Sequence, residues 1–291
     1  MTPYVVLLLS LTVLLSSLRT VLSKGVSANS FGSRRFFLSQ GLLFGAGSVA
    51  LLFAPGVFDS LPTVNTLFLS VLYALALIVA QWCYTASLKS GNTGLCATVY
   101  SLGFIIPTLS GCIAFGEELK ITGIIGVILV IPAIIISGLK PKGQSGQKTK
   151  GGYFIPLLLA MLASGALGVL QKVQQKSPTP EQKGSFVLMA FVIAALVSFV
   201  ALLFSKREEK PLFEIKSTAL GALVGVCFAL CNIFNTTLSG LLPSAVFFPT
   251  VNLGNIFLSL ILGVIIYKDK IKKRDLAVFL FGTLSIILLN L

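Results

Sequence analysis

Residues 93–115 read TGLCATVYSLGFIIPTLSGCIAF, an apolar stretch long enough to cross a lipid bilayer as one helix. Residues 244–266, SAVFFPTVNLGNIFLSLILGVII, have the same length and a similar apolar character. When the second stretch is aligned to the first with an offset of 152 residues, Asn252 falls on Tyr100, and a Thr-Val pair precedes both residues. The pattern therefore indicates a membrane-spanning element that occurs once in each half of the chain.

Eight further apolar runs of similar length flank these two. They cover roughly residues 4–22, 36–54, 65–88, 121–139, 153–171, 185–204, 217–238 and 275–290. Hydrophobic residues make up 55% of the chain and charged residues only 11%, so no soluble domain remains once these runs are assigned. We predict an all-α integral membrane protein with ten transmembrane helices, located in the plasma (inner) membrane.

The ten predicted helices divide into two sets of five. Residues 1–139 form the first five-helix repeat, residues 140–152 a polar basic linker, and residues 153–291 the second repeat. Because five is an odd number, the second repeat enters the bilayer upside down relative to the first. Inverted repeats of this kind place a binding site between the halves, near the middle of the membrane.

Short motifs at the helix ends carry a resemblance to a known family. The turn Gly116-Glu117-Glu118-Leu119 precedes Gly126, and the first and sixth helices end in Ser-Lys at 23–24 and Gln-Lys at 171–172. Together with the five-plus-five arrangement, these motifs resemble the drug/metabolite transporter superfamily, EamA type. The resemblance implies a ten-helix transporter with both termini in the cytoplasm. Residues 16–19 depart from the Trp-Gly-x-Asn frequent in that family, so no member's substrate carries over.

Arg19 is the one charged residue set well inside a predicted span. It precedes Lys24, at the helix end, by five residues, which places it roughly 7 Å deep at about 1.5 Å per residue. An unpaired arginine in the middle of a span costs about 2.5 to 3.5 kcal/mol on insertion scales. Arg19 therefore either faces a cavity and binds a carboxylate or phosphate of a solute, or extends its guanidinium to the membrane surface.

Polar side chains also form stripes on the third, fourth, eighth and ninth predicted helices. The spacing of three and four residues puts each stripe on one helix face. Such amides and hydroxyls either line a solute cavity or hydrogen-bond neighbouring helices. With Arg19, the candidate substrate-binding residues are Gln81, Tyr84, Tyr100, Asn232, Asn235, Asn252 and Asn255.

The acidic residues limit the chemistry of the protein. All nine fall in predicted loops or at helix ends, and the chain has no histidine. Exchange of an organic cation for protons usually requires a carboxylate inside the membrane, so this activity is disfavoured, and Glu117 and Glu118 are the candidates for proton coupling. Passage without a coupling ion is the alternative.

Nothing in the sequence predicts a cofactor, a metal site or enzymatic activity. No cluster of acidic residues and histidines and no nucleotide-binding loop is visible. Nearly all of the 22 Lys and Arg residues flank apolar spans, which favours lipid headgroups over nucleic acid as their partner. The sequence thus predicts a secondary transporter that moves a small anionic or zwitterionic organic solute by alternating access. The alternatives are a membrane enzyme acting on lipid or isoprenoid phosphates and a scaffold without transport.

The distribution of basic residues predicts the orientation of the chain. Seventeen Lys and Arg lie in the loops after the odd-numbered helices and four in the other loops. Because cytoplasmic loops are enriched in these residues, the linker 140–152 is expected in the cytoplasm and both termini outside, opposite to the family orientation.

The orientation is tested by introducing a single cysteine at Ser145, with the native cysteines removed, and measuring whether this cysteine is accessible from outside the cell. Labelling by an impermeant reagent outside intact cells would contradict the charge argument.

Overall fold

The computed structural model describes residues 2–26, 32–54, 57–89, 93–118, 120–138, 154–205, 215–268 and 273–290. Within these ranges the chain contains α-helices and short 3-10 segments but no β-strand. The helices are α1 (Pro3–Val26), α2 (Arg34–Leu51), α3 (Val64–Leu88), α4 (Thr93–Ser101), α5 (Ile105–Phe115), α6 (Ile121–Gly138), α7 (Phe154–Gln175), α8 (Lys183–Phe204), α9 (Ile215–Leu241), α10 (Ser244–Tyr267) and α11 (Lys273–Asn290). The linker 140–152 lies outside the described residues.

Helices occupy all ten places where the sequence predicts a span, with α4 and α5 together forming the fourth. Seven of these stretches are long and apolar enough, within the described residues, to cross a membrane: α1, α3, α4 with α5, α7, α8, α9 and α10. These helices are consistent with a multi-pass membrane protein. That α2, α6 and α11 also cross the membrane, for a total of ten spans, stays a prediction.

The break between α4 and α5 follows from Pro107. A proline inside a helix lacks the N–H that would bond the carbonyl four residues earlier, and its ring pushes that carbonyl aside. The carbonyl is that of Gly103, which lies in the 3-10 segment Leu102–Phe104 between the two helices. A Cβ at Gly103 would overlap the carbonyl oxygen of Met161, so α7 packs directly against the backbone of this segment.

Helices from the two predicted halves pack mainly on one another. Helix α1 packs on α9 and α10, α7 packs on α3 and on α4 and α5, and α2 packs on α8 and α9. Helix α6 packs chiefly on α11. At the centre of the α2, α8 and α9 group, the rings of Phe44, Phe191 and Phe228 contact one another with centroids 5.5 to 6.4 Å apart.

The backbones of α2 and α9 come very close at Gly225. A Cβ there would overlap the carbonyl oxygen of Leu43. At Gly221, one turn earlier, a Cβ would lie an ordinary 3.4 Å from the carbonyl oxygen of Ser39. In the sequence these two glycines look alike, because small residues four positions apart are typical of close helix packing. The two backbones leave no room for a Cβ only at Gly225.

Two helix ends have the same geometry in the two halves. Gly116 ends α5 in the left-handed region at φ 66°, and its N–H bonds the carbonyl of Gly111. Lys268 ends α10 at φ 53°, and its N–H bonds the carbonyl of Gly263. Both pairs are related by the offset of 152 residues. In the described ranges, Lys268 is the only residue other than glycine with a positive φ. Its counterpart Gly116 adopts the same left-handed conformation without a steric clash, because glycine has no Cβ.

Candidate functional site

A cavity of about 80 Å³ lies between α1, α4, α5, α7, α9 and α10. It is therefore bounded by helices from both predicted halves. Its apolar wall includes the rings of Phe104, Phe228, Phe247 and Phe248. Its polar lining includes Arg19, Tyr100, Gln171, Asn232, Asn235, Asn252 and Asn255.

Arg19 projects from α1 into the interior of the bundle. It is only 5% exposed, and its guanidinium is therefore not extended to the surface of the bundle. Nη2 donates a hydrogen bond to Oε1 of Gln81 at 2.7 Å, and Nη1 donates one to the hydroxyl of Tyr100 at 3.3 Å. The guanidinium carbon lies 3.7 Å from the centre of the Phe228 ring, within the range of a cation–π contact.

Gln81 and Tyr84 lie behind Arg19 and do not line the cavity. Gln81 is held on α3 by a hydrogen bond of 3.1 Å from its Nε2 to the hydroxyl of Thr85. Tyr84 is fully buried, and its ring centroid lies 4.8 Å from that of Tyr100. The structure therefore places these two predicted site residues where they support Arg19 and Tyr100, not where they meet a solute directly.

Of the four asparagines, Asn232 and Asn255 cross-link helices. The side-chain oxygen of Asn232 accepts a hydrogen bond of 2.5 Å from the hydroxyl of Tyr73 on α3. Asn255 donates to the hydroxyl of Ser101 on α4 at 3.0 Å, and its side-chain oxygen lies 3.4 Å from the hydroxyl of Ser17 on α1. These residues line the cavity, but much of their hydrogen-bonding capacity is used inside the protein.

Asn235 and Asn252 have more hydrogen-bond donors and acceptors without a partner among the described residues, and these are available to a ligand. Asn252 donates one hydrogen bond of 2.7 Å to the carbonyl of Phe248 on its own helix. Asn235 contacts the sulfur of Cys231 at 3.6 Å through its nitrogen, and its buried side-chain oxygen has no partner among the described residues. With Arg19, these two residues are the strongest candidates for direct contact with a solute.

Phe228 and Gln171 are among the residues of the site that sequence reasoning missed. Phe228 stacks on Arg19, and Gln171 lines the cavity and donates to the hydroxyl of Tyr73 at 2.6 Å. Phe228 precedes Asn232 by one helical turn and hence shares its face, a signal that was present in the sequence. Gln171 was noted only as part of a helix-end motif.

An ion pair between a buried lysine and a partly buried glutamate lies just beyond one end of the cavity. Nζ of Lys172, near the end of α7, lies 2.6 Å from a carboxylate oxygen of Glu117. The second carboxylate oxygen of Glu117 accepts a hydrogen bond of 2.8 Å from the backbone N–H of Ser244 at the start of α10. This is a favourable position, because a helix N-terminus attracts negative charge. We call Glu117, Lys172 and Ser244 the closure cluster.

The closure cluster lies one helical turn beyond the cavity wall. Gly168 precedes Lys172 by four residues, and Phe248 follows Ser244 by four. A Cβ on Gly168 would lie 2.7 Å from Pro107 and 2.9 Å from Phe248. Helices α5, α7 and α10 thus leave almost no space between the cavity and the cluster.

Glu117 is held in its ionised form. Burial by itself would raise the pKa of Glu117, but the hydrogen bonds from Lys172 and Ser244 and the charge of Lys172 outweigh burial and lower this pKa below its ordinary value. Glu118, the other candidate for proton coupling, is exposed. In the described residues, no group of three His, Cys, Asp or Glu side chains is placed to bind a metal ion.

Comparison with known proteins shows a shared fold. No protein-family model matches the chain. A stretch of 197 residues, 64% of the chain, is 28% identical to an uncharacterized protein of Haemophilus influenzae (strain ATCC 51907 / DSM 11121 / KW20 / Rd) and spans 62% of that protein's length. A protein of known crystal structure superposes with a TM-score of 0.62 over 99% of this chain and 96% of the other, at 16% sequence identity. The chain therefore shares its helical architecture, over nearly its whole length, with a crystallised protein.

Proposed function

We propose that the protein is a secondary transporter in the plasma (inner) membrane that moves a small anionic or zwitterionic organic solute by alternating access. The observation that carries this proposal is the cavity at the junction of the two halves, with the buried Arg19 in its wall. A buried arginine on a membrane helix is costly, and a polar cavity at the interface of two repeats is the usual position of a transporter's binding site.

We further propose that the halves are inverted repeats and that the protein belongs to the drug/metabolite transporter superfamily. The packing of the helices supports the repeat. The main contacts between the halves have equivalent contacts when the halves are exchanged. The contact of α1 with α9 corresponds to that of α7 with α3, and the contact of α2 with α9 corresponds to that of α8 with α3. The contact of α1 with α10 corresponds to that of α7 with α4 and α5. Helices α2 and α8 are equivalent in the two halves and pack on each other, and the same holds for α6 and α11. The matched helix ends at Gly116 and Lys268 agree with the same relation.

The size of the cavity supports a cycle with at least one wider conformation. Pockets for small organic molecules usually have volumes of about 300 to 1,000 Å³, whereas this cavity has about 80 Å³. Passage of a solute through the end of the cavity at the closure cluster then requires α5, α7 and α10 to separate. The closure cluster joins these three helices, so it is the contact that must break.

Neutralising Glu117 is expected to open this end of the cavity. Glu117→Gln leaves the buried ammonium of Lys172 without its counter-charge, which is unfavourable, and it also weakens the bond to the N-terminus of α10. A cysteine at Ser164, which lines the cavity, should then react faster with a water-soluble thiol reagent, in a background without native cysteines. Glu118→Gln is the matched control, because Glu118 is the exposed neighbour. Equal reactivity in the two variants would show that the ion pair does not close the cavity.

The same pair gives an expected pH dependence. Because the pKa of Glu117 is lowered in the folded protein, its contribution to stability is complete above the ordinary glutamate value of about 4.3 and is lost as the pH falls through the lowered pKa. The difference in thermal stability between the native protein and Glu117→Gln should therefore be constant near neutral pH and shrink in acid. It follows that Glu117 binds no proton near neutral pH while the pair is closed, so coupling through Glu117 requires the open state.

Flux measurements test the proposed function itself. Purified protein in liposomes is expected to give solute-dependent uptake that empty liposomes lack, with the solute chosen from a panel screened by thermal stabilisation. An enzyme or a scaffold would give no flux for any compound that stabilises the protein.

A further inference from the structure

Two cations are buried in the described part of the bundle, and they have different partners. Lys172 is 3% exposed and pairs with the carboxylate of Glu117. Arg19 is 5% exposed, and its contacts are the amide oxygen of Gln81, the hydroxyl of Tyr100 and aromatic rings. All of these partners are neutral. Among the described residues, no acidic side chain forms an ion pair with Arg19, in contrast to Lys172.

The guanidinium of Arg19 also has N–H donors that form no hydrogen bond with the described residues. An arginine side chain offers five N–H donors, and Gln81 and Tyr100 take one each. Nε is buried and has no partner among the described residues, and each terminal nitrogen keeps a second hydrogen. Nε and one terminal nitrogen form the planar pair of donors that matches the two oxygens of a carboxylate.

The missing charge partner limits the net charge of a solute. A buried cation without a counter-ion is unfavourable, and neutral hydrogen bonds and ring contacts offset this only in part. The other polar residues of the cavity wall, such as Asn235 and Asn252, carry no charge. A solute with one negative charge would make the loaded cavity neutral. A zwitterion would bring an ammonium group that finds no carboxylate in this wall, and a dianion would leave one negative charge unbalanced.

We infer that the solute is a small monocarboxylate whose carboxylate pairs with Arg19. The inference rests on the proposed function. It narrows the substrate class from anionic or zwitterionic solutes to solutes with a net charge of minus one. Gln81 contacts Arg19 through a neutral oxygen and therefore leaves the charge of Arg19 available.

Matched ligands test the charge requirement in the whole protein. Thermal stabilisation in detergent is titrated with propionate, with propionamide of nearly the same shape, with the zwitterion alanine and with the dianion succinate. Propionate is expected to bind at least about tenfold more tightly than each of the others, as for a charge-assisted bond to a buried guanidinium. Equal binding of propionate and propionamide would overturn the inference.

Gln81→Glu tests the role of the neutral partner. The new carboxylate occupies the place of the amide, 2.7 Å from Nη2, and supplies the counter-ion from within the protein. The preference for propionate over propionamide should then fall to about unity, whereas Gln81→Met, which removes the amide without adding charge, should keep a preference of about tenfold or more. A preserved preference in Gln81→Glu, or a lost one in Gln81→Met, would overturn the inference. If Gln81→Glu does not fold, the native protein and Gln81→Met decide the question.

Flux separates this inference from the proposed function. Preferential binding of propionate without liposome flux of any solute would leave the charge assignment standing and remove the transport proposal. Flux of neutral or zwitterionic solutes, with no preference for carboxylates in binding, would support the transport proposal and overturn the assignment of a monocarboxylate.

Discussion

Replacing Arg19 by glutamine is expected to weaken the apparent affinity for the transported solute by about 10-fold to 150-fold. A charge-assisted contact contributes about 1.5 to 3 kcal/mol, which corresponds to this range. The change removes the buried cation, while glutamine retains an uncharged polar group on a shorter side chain. The measurement is the concentration dependence of uptake at equal protein density in liposomes.

Two variants show whether the loss at Arg19 is specific. Arg19→Lys should recover only part of the affinity, because lysine keeps the charge but cannot hold Gln81 and Tyr100 and still offer a planar pair of donors. Lys176→Gln removes an exposed cation near the end of α7 and should leave uptake unchanged. Unchanged uptake in Arg19→Gln would mean that the guanidinium has a structural role only, and the solute site would have to lie elsewhere.

The largest expected effect on stability is that of Gly225→Ala. The added Cβ would overlap the carbonyl oxygen of Leu43, and a backbone atom in the middle of a helix cannot rotate away as a side chain can. Helices α2 and α9 must then move apart, which also disturbs the contact at Gly47, where a Cβ would lie 2.9 Å from the carbonyl oxygen of Gly225. We expect a loss of about 3 kcal/mol or more, at the upper end of overpacking costs.

Gly221→Ala is the matched control on the same helix. Its Cβ would lie 3.4 Å from the carbonyl oxygen of Ser39, an ordinary contact, and alanine favours the helix by up to about 1 kcal/mol over glycine. Its thermal stability in detergent should therefore equal or slightly exceed that of the native protein. If Gly225→Ala and Gly221→Ala behave alike, the close approach of α2 and α9 is not as the structure describes it.

The sequence by itself determined where the helices lie and what kind of residue is unusual inside them. Runs of about 20 apolar residues are sufficient to place helices in a membrane protein, and helices occupy all ten predicted places. The charge of Arg19 within such a run was visible for the same reason. Helical spacing also showed that Asn232 and Asn235 share a face with each other, because the period of an α-helix is known in advance.

Only the tertiary structure decided which residues meet. Gln81 lies 62 residues from Arg19 in the chain, and nothing in the spacing indicates that it binds the guanidinium from behind while Asn252 lines the cavity. The pairing of Lys172 with Glu117 was hidden in the same way, and so was the very close backbone approach at Gly225 but not at Gly221. The physical reason is that spacing along one helix defines its faces, whereas the partner of each face depends on the rotation and register of the neighbouring helices. Those are set jointly by the packing of many side chains and backbone contacts, so a buried cation could be located in the sequence but its partners could not.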